Sequence, residues 1–77
     1  MRTLRVYFTM FSNDEYRALI NEMRRICGEI REHTSRVVEE FRFVEIPEPT
    51  EECQENIKEL LEKHGAVYPK IDLISPD

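Results

Sequence analysis

Glycine, cysteine, glutamine and tryptophan are all scarce in this 77-residue chain, which has two, two, one and none. Each scarcity excludes something. With glycine only at Gly28 and Gly65, no glycine-rich loop is available to cradle a phosphate. Cys27 and Cys53 have neither CxxC spacing nor a histidine pair at finger spacing beside them, so neither a disulfide framework nor a structural zinc site is indicated. No apolar run approaches the roughly 18 residues of a membrane span. Met1-Arg2-Thr3-Leu4 leads into a strand pattern rather than a cleavable leader. Two unpaired thiols and no targeting segment set the expectation of a cytoplasmic protein with no membrane partner. Residues 1–77 form a single domain, and a chain of this size buries only about 60% of its unfolded surface. With no staple evident, oligomerisation is the expected source of support.

Charge is plentiful but unevenly placed. The net charge is −5 and the isoelectric point about 5.0, yet residues 1–36 carry seven arginines against five acidic residues, and residues 37–77 carry four basic against eleven acidic. Two readings follow: a solvated acidic face on the second half, or self-complementary docking of an Arg-rich face on an acidic one. A charged content of 35% with a single glutamine is a thermophile-like composition.

Leu4 to Phe11 alternates with period two. Leu4, Val6, Phe8 and Met10 share one face, and Arg5, Tyr7, Thr9 and Phe11 the other. Ser12-Asn13-Asp14-Glu15 reads as a capping box, followed by an apolar stripe of Tyr16, Leu19, Ile20, Met23, Ile26 and Cys27 at helical spacing. Gly28 stands where a left-handed C-terminal cap belongs. Beyond it the spacing is ambiguous. Tyr16, Ile20, Met23, Cys27, Ile30, Thr34, Val37 and Phe41 would also suit one helix from 13 to about 40. The preferred reading breaks at Gly28, with a short strand over Glu29–His33, a turn near Thr34-Ser35 and a strand over Val37–Ile46. Pro47-Glu48-Pro49 stops that strand, and Thr50 caps a second helix with stripe Cys53, Ile57, Leu60, Leu61 and His64, ended by Gly65. The last strand, Ala66–Ile74, places Val67, Pro69, Ile71 and Leu73 on one face. Pro69 cannot donate to a ladder, so this strand belongs at an edge.

The expected fold is therefore α/β, an α+β two-layer sandwich of ferredoxin-like order βαββαβ, with an antiparallel sheet in strand order 4-1-3-2 and both helices on one face. The long-helix alternative gives βαβαβ. The preferred arrangement leaves the other sheet face without a cover. That face is apolar in either register of the third strand, bearing Phe41 and Phe43 beside Tyr7, with Tyr68 nearby, or bearing Val44 and Ile46. Uncovered apolar patches mark interaction sites.

Val6-Tyr7-Phe8-Thr9-Met10-Phe11 resembles the RNP2 hexamer of RNA recognition motifs. Glu39-Glu40-Phe41-Arg42-Phe43-Val44-Glu45-Ile46 resembles the RNP1 octamer at its two aromatics, its valine and its last apolar position. Gly28-Glu29-Ile30 is similar to the turn after that family's first helix. The resemblance implies that Tyr7, Phe41 and Phe43 form a base-stacking platform for single-stranded nucleic acid. Glu39 and Glu40 stand where the family begins RNP1 with a basic residue and a glycine, and Arg42 fills a slot that the family gives to a small residue facing the helices. Together with the acidity, these departures place nucleic acid second as a partner.

Chemistry-bearing residues are few. Cys27, Cys53, His33 and His64 are the soft ligands. With the helices taken as roughly parallel, Cys27 and Cys53 fall at opposite ends and should not pair, whereas Cys27 and His64 fall together. Cys27 and His64 are expected as core-flank positions on their stripes rather than metal ligands, and Cys53 as a buried, inert thiol. No nucleophile elbow, metal-protease helix or marked acid–base pair is present. Phe11-Ser12-Asn13-Asp14 is not the Gly-rich anion loop that an acylphosphatase-like site requires, and a C-terminal helix and strand do not belong to a ribbon-helix-helix DNA binder. The expectation is a non-catalytic module with no cofactor and no metal, self-associating as a dimer or higher oligomer through the sheet face that bears Tyr7, Phe41, Phe43 and Tyr68. Fold-level analogy adds a regulatory or ligand-sensing role.

Overall fold

The computed structural model describes residues 2–35 and 37–75. The chain runs β1 (Thr3–Thr9), α1 (Asn13–Cys27), β2 (Arg31–Thr34), β3 (Phe41–Pro47), α2 (Glu51–Lys63) and β4 (Val67–Ile74). The sheet is antiparallel throughout in the order β2-β3-β1-β4, a ferredoxin-like α+β sandwich with β4 at an edge, as Pro69 requires.

Local signals set the helix ends. The Ser12 hydroxyl accepts from the Glu15 N–H at 3.2 Å and opens α1. The Glu15 carboxylate does not close the capping box, because it is drawn instead to His64 on α2 at 3.1 Å. At the other end Gly28 adopts φ +83° and donates its N–H to the Arg24 carbonyl. That left-handed turn, available to glycine without a Cβ clash, ends the helix and excludes the continuous helix to residue 40. The Thr50 hydroxyl accepts from the Cys53 N–H at 3.1 Å and opens α2.

The core lies between sheet and helices. Leu4, Val6, Phe8 and Met10 of the first segment and Val44 and Ile46 of β3 meet Leu19, Ile20 and Met23 of α1 and Ile57, Leu60 and Leu61 of α2. The third strand thus takes the register with Val44 and Ile46 inward. Residues 37–40 do not extend it: Phe41 donates to the Val38 carbonyl in a turn, so β3 starts four residues later than the alternation suggested. β1 likewise stops at Thr9, leaving Phe11 75% exposed in the following loop.

Two expectations are overturned. The helices are antiparallel, because β1 and β3, which lead into them, run in opposite directions. The C-terminal end of α1 therefore meets the N-terminal end of α2, and Cys27 and Cys53 form a disulfide across 26 residues. The premise of two free thiols falls, and Cys27 and His64 lie at opposite ends of the helix pair. β4 also departs from simple alternation. Its partners shift from Tyr7↔Lys70 to Thr9↔Val67, so two residues of β1 span three of β4. The extra residue turns Val67 to the open face while Ile71 and Leu73, opposite Val6 and Leu4, stay on the helix side. The four do not share one face.

Candidate binding site on the open sheet face

Residues directly opposite in an antiparallel sheet share a face, so the registers define the rows of side chains opposite the helices. The central row crosses all four strands: His33, Phe43, Tyr7 and Lys70. Tyr7 and Phe43 stack with ring centroids 4.5 Å apart and planes within 4°. His33 stacks on the other side of Phe43 at 4.9 Å, and the Lys70 ammonium lies 5.9 Å from the Tyr7 ring centroid. The result is one continuous aromatic strip closed at one end by a cation. Below it is a charged row of Arg31, Glu45, Arg5 and Asp72, in which Glu45 accepts from His33 at 2.8 Å and pairs with Arg5 at 3.4 Å. Above it are Phe41, Thr9 and Val67.

Between the central and upper rows lies a groove of about 390 Å³ lined by Tyr7, Thr9, His33, Phe41, Phe43 and Tyr68, with Phe8 and Arg42 contributing to its lining. Phe41 is 56% and Tyr68 83% exposed. Tyr68 is held at φ +54°, a left-handed conformation that disfavours a residue with a Cβ and is usually given to glycine or asparagine. The four residues named from the sequence, Tyr7, Phe41, Phe43 and Tyr68, are thus gathered round one groove. His33 and Lys70 were missed. Only the strand registers bring them into the row, Lys70 through the regular run of β4 against β1 and His33 through its pairing with Phe43.

Arg42 supports the groove from the helix side. It is buried, its Nε and one terminal nitrogen donate to the Met10 carbonyl at 3.3 and 3.2 Å, and the same terminal nitrogen donates to Asn13 Oδ1 at 2.7 Å. Its guanidinium lies 4.4 Å from the Tyr16 ring centroid. The Tyr16 hydroxyl donates to Glu32 at 2.9 Å, and burial, reinforced by that bond, pushes the phenol well above its ordinary value. Arg24 holds the second Glu32 oxygen at 2.8 Å.

At the far end of the helix pair, His64 is nine-tenths buried between Glu15, at 3.1 Å from Nδ1, and Glu22, at 3.4 Å from Nε2. Lys63 reaches Glu22 at 3.0 Å, and that hydrogen bond holds the carboxyl below its ordinary value of 4.5. Among the described residues, no group of three or more His, Cys, Asp and Glu side chains is arranged to hold a metal, and no helix is long and apolar enough to cross a membrane. The acidic side chains of α2, Glu51, Glu52, Glu55, Glu59 and Glu62, are exposed to solvent. No protein-family model and no curated protein matches the chain.

Proposed function

We propose that this domain is a non-catalytic interaction module that self-associates through the open face of its sheet. One observation carries the reading: Tyr68 stands exposed beside the aromatic groove on a left-handed backbone. A bulky residue held in such a conformation costs about 1–2 kcal/mol, and strain of this kind clusters where a surface is used. Neighbouring Phe41 adds apolar area, 56% of it left exposed by the described residues. The flanking row of Arg31, Glu45, Arg5 and Asp72 carries both signs of charge, which suits a second copy.

A second reading, single-stranded nucleic acid on the same strip, draws support from the row of aromatic rings, with Tyr7 and Phe43 stacked in parallel and Lys70 beside them. A net charge of −5 opposes it. Sedimentation of the pure protein, alone and with a mixed-sequence oligonucleotide, separates the two. The expected result is concentration-dependent association that Phe41→Ser weakens, with no oligonucleotide complex. A monomer that binds the oligonucleotide in a salt-dependent way would overturn self-association. A cytoplasmic setting stays part of the proposal in a narrower form: the disulfide and the thermophile-like composition fit the cytosol of a hyperthermophile, where disulfides persist.

A further inference from the structure

β4 pairs with β1 on one side and, among the described residues, with no strand on the other. Such an edge offers a row of backbone donors and acceptors that proteins ordinarily blunt. Here the blunting sits at one end, where the Tyr68 backbone turns left-handed and Pro69 lacks a donor. From Lys70 to Ile74 the strand keeps regular register with β1. The helix side of this stretch is thinly covered, with Leu73 42% exposed and Ile71 only partly buried.

The sequence of the edge is complementary to itself in one antiparallel register. A two-fold axis at Asp72 would set Asp72 against its own copy, and like charges directly opposite are destabilising. An axis at Ile71 sets Lys70 opposite Asp72 of the second copy, Ile71 opposite Ile71, and Leu73 opposite Pro69. Lys70 and Asp72 already approach to 3.8 Å within one chain and lie on the open face, so both charged pairs would form on that face while Ile71 meets its own copy and Leu73 meets Pro69 on the other. We infer that β4 is a homodimerisation strand, joining two copies about Ile71 into one sheet of eight strands, four from each copy. This edge adjoins the aromatic strip, which Lys70 closes, without lining the groove through Lys70 or Asp72, and the pairing would set the two grooves on the same side of a continuous sheet.

Sedimentation equilibrium on the full oxidised chain tests this in a Phe41→Ser, Tyr68→Ser background, where contacts through the groove are removed. That background is expected to dimerise still. Asp72→Lys or Lys70→Asp alone should weaken the dimer about tenfold or more, because two attractive cross-strand pairs become repulsive. The double exchange Lys70→Asp, Asp72→Lys should restore it. A background that is monomeric at every concentration, single exchanges that associate unimpaired, or a double exchange that fails to recover would each overturn the inference. Failure of the groove reading shows separately, as identical association of the wild type and the background.

Discussion

At the scale of single residues, two side chains are placed against their ordinary preferences. Tyr68 occupies a backbone conformation better suited to glycine, so Tyr68→Gly should raise the thermal midpoint, in line with about 1 kcal/mol of relieved strain, while weakening self-association. Calorimetry and sedimentation on the same variant check both signs, and loss of stability on substitution would mean that Tyr68 is there for packing. Arg42 is a buried cation whose hydrogen-bond partners, the Met10 carbonyl and the Asn13 amide, are neutral. Removing it strands those two acceptors, so Arg42→Ala should cost about 3 kcal/mol in denaturant unfolding. Arg42→Lys should recover little, since one ammonium lacks the planar fork that serves both acceptors and stacks on Tyr16.

At the scale of elements, α1 and α2 are clasped at both ends, covalently by Cys27–Cys53 and ionically by Lys63–Glu22 with His64 beside Glu15. Closing a loop of 26 residues removes enough unfolded-state entropy to contribute about 3–4 kcal/mol. Reduction, or Cys27→Ser with Cys53→Ser, should therefore lower the melting temperature by about 15–25 °C. A thiol titration of the unreduced, denatured protein should find no free cysteine. The ionic end depends on pH. Glu22 has a lowered folded-state value, so its contribution is present above the ordinary 4.5 and lost as pH falls through the lower folded value. Glu22→Gln should flatten the loss of stability below that point, and an unchanged acid limb in thermal melts would count against the clasp. Element order was legible in the sequence because caps and glycines are local: Ser12, Gly28 and Thr50 each act on their own turn. That Phe41 and Phe43 share one face of β3 and Val44 and Ile46 the other was legible for the same reason, since alternation is local too, but which pair turns to the helices was settled only by the packing of the core. The disulfide, the bulge and the row that adds His33 and Lys70 depend on how distant segments align. Helix direction was misjudged from order alone, and with it the pairing of Cys27 and Cys53.

At the scale of the whole molecule, the disulfide changes why two copies would meet. A chain of 77 residues without a staple has reason to fold only in company, whereas the cross-linked chain holds a core from β1, β3 and both helices by itself. Association through the groove or the β4 edge then adds to a fold that already stands, and the two contributions separate experimentally. An obligate oligomer melts at a temperature that rises with concentration, because the partner binds only the folded state. For the oxidised protein, dilution below the association range should leave the chain folded, with its melting temperature settling at a constant value. Once the disulfide is reduced, the stability left to the single chain falls by about 3–4 kcal/mol, a large share of the 5–15 kcal/mol typical of a small domain. The melting temperature should then drop steeply on dilution. Circular dichroism melts across a dilution series, with and without reductant, read this difference directly. If the oxidised chain unfolds on dilution, the partner is part of the fold. If reduction leaves dilution without effect, the cross-link is not what frees the domain to fold alone.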